Sequence, residues 1–238
     1  MRRGSFRSSL LMFLATMADI YNEVSYSQVY NRLRWPGYKE LSVRGMVRRM
    51  LDDEELVQVK DGFKLGKRGY HLVDDFVPVR KYQRRKWDGW WRVIIYDIPE
   101  KDKVRRNSLR MVLTKYGYGL WQKSVYLTPH PVTKAVTDWL NKHGMASRVV
   151  CLESRQVGGL DNRQIAAQVF QSKERLRTWE YLVGQGYQVL RENRGSKSWV
   201  DKYEEALYRE PWLPQGLEMP GVEIARHKAA IIMQKLVS

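Results

Sequence analysis

The sequence predicts an α+β chain in three parts: an N-terminal winged helix–turn–helix, a central ferredoxin-like βαββαβ domain and a helical C-terminal domain. Three observations predict it. Three short segments with apolar stripes precede an Asp61-Gly62 pair set between two alternating runs, the strongest short hairpin signal. From Trp90 to Leu152 the segments read strand, helix, strand, strand, helix, strand. From Asp161 onward apolar residues recur at helical spacing. The expected boundaries are 1–75 for the winged helix, 76–89 for a basic linker, 90–157 for the ferredoxin-like domain and 158–238 for the helical part.

In the first part, Ser8 to Tyr21 carries Leu11, Leu14, Ala15 and Ala18 on one helical face, with Ser8 or Ser9 as the cap. Ser27 caps a second helix that buries Val29 and Leu33 and stops at Trp35-Pro36-Gly37. Ser42 caps a third helix running to about Leu51, with Val43, Val47 and Met50 inward and Arg44, Arg48 and Arg49 largely outward. Leu56 to Lys60 and Phe63 to Leu65 form the ribbon. Three helices and a two-stranded ribbon make the winged layout, whose third helix enters the major groove.

Phe76 to Lys86 is a basic connector with Arg80, Lys81, Arg84, Arg85 and Lys86. The central domain opens with a buried strand, Trp90 to Asp97, ended by Pro99. Lys101 to Tyr116 is an amphipathic helix that turns Val104, Leu109, Val112 and Leu113 toward a sheet and ends at Gly117. Leu120 to Gln122 and Ser124 to Leu127 are strands, Thr133 to Lys142 is a helix closed by Gly144, and Arg148 to Leu152 is the last strand. In the final part Ile165, Val169, Leu176 and Leu182 mark one face. A helix from about Trp199 to Tyr208 precedes the proline-rich turn Pro211 to Pro214. Val222 to Leu236 buries Ile224, Ile231 and Leu236.

The charge narrows the partners. The 238 residues hold 42 basic and 26 acidic side chains, a formal +16. Residues 1–87 carry 18 basic and 10 acidic side chains, whereas 161–238 carry 12 and 10, so the excess sits toward the N-terminus. Such a field concentrates polyanions, and nucleic acid is the leading one. A single cysteine, Cys151, excludes an internal disulfide framework and fits a reducing compartment. No apolar run reaches the roughly 18 residues a bilayer span needs; the best candidate, Leu10 to Ala15, is too short, and no small-residue cleavage site follows it, so no signal peptide is expected. The expected location is the cytoplasm, with no membrane partner. His71, His130, His143 and His227 show no ligand spacing, and Gly158-Gly159 lacks the context of a phosphate loop.

On the third helix Arg44 and Arg48 stand one turn apart and reach one groove wall, where a bidentate arginine on guanine is the commonest specific contact. Ser42 and Arg49 flank them. Lys60, Lys64, Lys67 and Arg68 lie on or beside the wing as phosphate contacts, which position without specifying. Trp179, Trp199 and Trp212 either line an apolar effector cavity or hold the C-terminal helices together.

The order of these parts resembles the PaaX-type repressors, named for the regulator of phenylacetate degradation. Val43-Arg44 followed by Arg48 resembles their recognition helix, and Phe63 to Gly69 the end of their wing. Trp87 to Arg92 with Tyr96 to Glu100 resembles the opening of their central domain. Glu210 to Pro214 and Pro220-Gly221, followed by Ala225, resemble their closing signature, with Glu210 and Met219 standing where the family has Asp and Trp. The resemblance implies a homodimer that binds double-stranded DNA, represses transcription and is released by a small-molecule inducer of the acyl-coenzyme A type.

The central part is also similar to a CRISPR-associated ferredoxin-fold nuclease, the dimeric adaptation subunit. Tyr96-Asp97-Ile98-Pro99, Tyr116-Gly117 and Gln122 to Tyr126 carry that likeness. It implies an alternative: Asp97, paired with its mate across a dimer, holds Mg²⁺ or Mn²⁺ for phosphodiester hydrolysis. The structural reading of the same residue makes it a carboxylate that satisfies the donors of the following helix. A third possibility is a non-specific basic DNA-packaging factor. Apart from that metal, no cofactor is expected.

Overall fold

The computed structural model describes residues 6–17, 23–34, 38–83, 85–192 and 197–237. Helices α1 (Phe6–Met17), α2 (Tyr26–Arg34) and α3 (Glu40–Asp52) precede the hairpin of β1 (Leu56–Val59) and β2 (Gly62–Leu65), and α4 (Lys67–Phe76) follows it. Then come β3 (Trp91–Tyr96), α5 (Lys103–Lys115), β4 (Gly119–Gln122), β5 (Val125–Thr128), α6 (Thr133–Lys142) and β6 (Val149–Ser154). The last helices are α7 (Asn162–Val169), α8 (Ser172–Glu192), α9 (Lys197–Tyr208) and α10 (Pro220–Val237). The architecture mixes helix and strand, with a strand-rich centre and a helical C-terminal part.

The chain divides into two units. One gathers Met1–Phe76, Leu176–Arg209 and Glu223–Ser238, the other Val77–Arg175 and Glu210–Val222. Residues 158–238, expected as one helical domain, are therefore shared between them. The expected linker belongs to the second unit from Val77 onward: Val77, Val79 and Arg80 are buried, and Gln215 N donates to Arg85 O. Arg84 lies outside the described residues.

In the first unit α1 is buried on nearly every side, from Ser8 to Thr16. Ser8 and Ser9 are consequently interior residues of a helix that begins at Phe6, not its cap, and Ser9 Oγ lies 3.3 Å from Glu204 Oε2 of α9. Ala18, Tyr21 and Trp35 to Gly37 lie outside the described residues. The cap of α2 is Ser25 rather than Ser27: Gln28 N donates to Ser25 Oγ (3.2 Å), and Ser25 N donates back to Gln28 Oε1 (2.9 Å). Helix α3 likewise starts two residues before Ser42, and Lys39 at its cap position makes no side-chain bond.

The hairpin turn is Lys60-Asp61, with Val59 opposite Gly62, so Gly62 sits in β2. The reason is a third extended segment. Val24 and Phe63 exchange both backbone hydrogen bonds, at 2.9 and 2.8 Å, and a Cβ on Gly62 would lie 2.3 Å from Val24 O. Arg32 of α2, almost fully buried, pairs with Glu204 of α9. Arg7 pairs with the buried Glu55.

In the second unit the sheet is antiparallel, in the order β4-β5-β3-β6. Side chains alternate between its faces. Arg110 of α5 approaches Tyr96 Oη (3.4 Å), and Thr133 of α6 donates to Glu153 (2.8 Å), so both helices cover the face that carries Tyr96 and Glu153. The opposite face turns Trp91, Val93 and Leu127 into a core with Ile165, Ala166 and Val169 of α7 and with Leu213 and Leu217. Leu109 and Leu113 of α5 are buried as expected, but Val104, in its first turn, is exposed. Helix α10 belongs to the first unit from Glu223 on; there its buried residues are Ala225, Ala229, Ala230, Ile232 and Met233, and the expected Ile224 is exposed.

Candidate nucleic-acid interface

Helix α3 separates its residues cleanly. Val43, Val47 and Met50, three to four residues apart, fall on one side and are buried; Ser42, Arg44, Arg48 and Arg49 are exposed. Asp52 and Asp53 stand four residues after Arg48 and Arg49, the spacing of a helical ion pair, yet they do not engage them. Neither arginine pairs with a carboxylate among the described residues, and Asp53 instead lies 3.6 Å from Arg7. Among the described residues, therefore, two guanidinium groups on α3 have no carboxylate partner.

Arg44 is held differently. Its Nε and Nη2 both donate to Glu40 Oε1, at 3.1 and 2.7 Å, and its guanidinium lies 5.4 Å from the centre of the Tyr26 ring. Beside it Tyr26, Arg44, Val47, Arg48, Leu51, Gln58 and Phe63 line an open hollow of about 350 Å³ between α3 and the hairpin. Tyr26, Glu40 and Gln58 are neighbours that the sequence reading missed. The four-residue spacing from Glu40 to Arg44 is the helical ion-pair signal that identifies one of them.

The wing cations are all exposed: Lys60 in the turn, Lys64 on the outward side of β2 opposite Val57, and Lys67 and Arg68 in the first turn of α4. Arg68 Nη1 lies 3.5 Å from Asp53 O. Helix α4 itself was not anticipated.

Asp97 follows β3 and is exposed; its backbone N donates to Arg148 O (3.0 Å). Its carboxylate bonds to no described side chain. The cap of α5 is Asp102, whose carboxylate accepts from Arg105 N (3.3 Å), so the capping role passes to a different aspartate. Among the described residues no three or more His, Cys, Asp or Glu side chains gather as a metal site within the chain. The core against α7 covers only part of the sheet face that carries Val93: beside Asp97, Ile95, Val150 and Leu152 on adjoining strands of that face are exposed.

The three tryptophans are spent on packing. In the first unit Trp199 stacks on Tyr203 at 5.3 Å and donates Nε1–H to Leu182 O (2.8 Å), while Trp179 meets the same Tyr203 edge-on. Trp212, in the second unit, is buried with the Arg80 guanidinium 5.6 Å from its ring. Cys151 is half-buried in β6, and burial pushes its thiol pKa up, which makes it a poor nucleophile. No described helix is long and apolar enough to cross a membrane.

Residues 84–166 match the family model of the PaaX protein central Cas2-like domain. The solved structure of the uncharacterized protein Rv0674 from Mycobacterium tuberculosis is similar over 98% of this chain and 98% of its own, with a TM-score of 0.52 and 20% sequence identity. At that identity the likeness concerns the fold alone. No curated protein matches the chain in sequence.

Proposed function

We propose, for a chain whose residues 84–166 are a PaaX-type, Cas2-like central domain, that it is a transcriptional regulator binding double-stranded DNA through its first unit. In this reading α2 and α3 are the helix–turn–helix, the β1–β2 hairpin is the wing, and the Val24 bridge is the short third strand that anchors it. The observation that carries it is α3, whose apolar side is buried while Arg48 and Arg49 stay exposed and, among the described residues, without a carboxylate partner. Arg44 and Arg48 contact base edges, with Ser42 and Arg49 beside them. Lys60, Lys64, Lys67 and Arg68 grip phosphates.

The regulator acts as a homodimer on half-sites one helical turn, or a multiple, apart. The open sheet face at Ile95, Val150 and Leu152 supports self-association, since contiguous exposed apolar surface marks contact sites. Repression, and its release by a small acyl-type effector, rest on the resemblance. Effector binding then acts as a population shift between DNA-competent and incompetent dimers.

The second reading is a metal-dependent nuclease with Asp97 paired across the dimer around Mg²⁺ or Mn²⁺. The exposed carboxylate, free of a capping role, favours it. One experiment separates the two. The region upstream of the protein's own gene is footprinted with wild type, Arg44→Ala/Arg48→Ala and Asp97→Ala, and cleavage of single- and double-stranded nucleic acid is assayed with each metal. A protected palindrome that the arginine variant binds at least tenfold more weakly, and that Asp97→Ala still protects, is the expected result. Metal-dependent cleavage that disappears with Asp97→Ala supports the nuclease instead. Binding without a footprint and with steep salt dependence supports a packaging factor.

A further inference from the structure

The face that the proposed function turns toward DNA carries one misplaced charge. Glu40 opens α3, and it is the only acidic residue of that helix before Asp52 at its other end. A carboxylate there faces a polyanion. Its Oε1 takes both hydrogen bonds from Arg44, and its Oε2 accepts from no described residue. Both side chains stay open to solvent, Glu40 at 45% and Arg44 at 63% exposure. Behind the pair lies the Tyr26 ring, which limits where the guanidinium can move.

We propose that Glu40 is a base-reading residue: together with Arg44 it requires an exocyclic amino group, on cytosine or adenine, next to the base that Arg44 contacts. The inference rests on the DNA-binding reading and deepens it. Recognition helices contact base edges with their N-terminal residues, and Glu40 occupies that end. In the major groove the N4 amino group of cytosine and the N6 amino group of adenine donate hydrogen bonds, whereas O4 of thymine and O6 and N7 of guanine only accept. An acceptor-only carboxylate matches the first pair and is repelled by the second. Its selectivity is therefore largely a penalty against wrong bases. Holding Arg44 between Glu40 and Tyr26 orders the donor and acceptor before DNA arrives, which lowers the entropy lost on binding. Tyr26 acts here as a positioning residue, through Arg44.

The test is a selection from a duplex library with a randomised core, run with wild type, Glu40→Gln and Glu40→Ala and read by sequencing. Circular dichroism shows whether both variants keep their helix content. Wild type enriches a motif with cytosine or adenine at one position. Both variants lose roughly tenfold of the preference at that position and keep the others, an effect that support of α3 alone would not produce. Glu40→Gln tolerates keto bases there, because an amide also donates. Retention of the full motif by both variants overturns the assignment and leaves the DNA-binding reading standing. Failure of wild type to enrich any motif overturns both together.

Discussion

Arg92 and Arg175, in the second unit, each engage two carboxylates, whereas Arg48 and Arg49, on α3 in the first, engage none among the described residues. Arg92 is buried, forked onto Asp88 at 2.9 and 2.6 Å and 3.4 Å from Glu153. Arg175 donates to Glu210 and to Glu218 at 2.7 and 2.5 Å, and those two carboxylates are themselves nearly inaccessible. The same side chain thus serves two ends. Where it is buried, every charge needs a partner, because an unpaired one carries the whole cost of leaving water. Where it is exposed, pairing is weak, and a guanidinium without a partner remains available to a phosphate or a base. The formal +16 consequently overstates the charge spread evenly over the surface and understates its concentration on α3 and the wing.

The largest effect is expected where that contrast is broken in the second unit. Arg175→Met leaves Glu210 and Glu218 buried side by side without their cation. The variant should lose about 3–5 kcal/mol of unfolding free energy, measured by urea denaturation. Arg48→Met, by the same measurement, should stay within about 0.5 kcal/mol of wild type while weakening duplex binding. Equal losses from both substitutions would mean that burial does not divide the arginines into two kinds.

A smaller effect attaches to His130, which is fully buried with Nε2 2.8 Å from Pro211 O. A carbonyl only accepts, so Nε2 carries the proton, and Nδ1 has no partner among the described residues. Burial, reinforced by the Arg92 charge, pushes its pKa down to about 4 from an ordinary 6.5. The unfolded chain therefore binds this proton below about pH 6.5 and the folded one does not until about pH 4. Stability is complete above the upper value and falls by about 3 kcal/mol as the pH drops through that window. His130→Gln should remove this part of the acid sensitivity. Denaturation midpoints of the two proteins should converge as the pH falls from 7 toward 4, and parallel curves would refute the assignment.

What the sequence makes visible follows from how each signal arises. The apolar stripe of α3 is legible because large side chains recur at three- and four-residue steps, and the arginines opposite them follow automatically. Helix α4 is not, because its buried face is thin: it rests on Val73 and on Gly69, whose missing Cβ would lie 2.1 Å from Glu55 O. The buried face of α10 is hidden for a related reason, being built largely on Ala225, Ala229 and Ala230, while Ile224, the bulkier neighbour, faces out. Caps are ambiguous wherever serines cluster, so Ser25 and Ser27 are indistinguishable until the backbone is placed. The pairing of Glu40 with Arg44 is written in the spacing; the ring of Tyr26 beneath it, eighteen positions away, is a product of tertiary structure alone.

The smallest effect sharpens the comparison within the first unit itself. Lys64 stands on the outward side of β2, exposed, opposite Val57, and far in kind from the base-reading arginines of α3. A lysine that meets only a phosphate contributes by releasing condensed counterions, so its removal lowers affinity similarly for every sequence. Lys64→Gln should reduce the slope of log affinity against log salt by roughly 0.9 and leave the ratio of specific to non-specific binding nearly unchanged. Arg48→Ala should do the reverse, collapsing that ratio with less change in slope. Titrations of one specific and one scrambled duplex at several salt concentrations distinguish the two behaviours. If Lys64→Gln lowers the ratio as strongly as Arg48→Ala does, the hairpin reads bases too, and the division of labour between α3 and the wing fails.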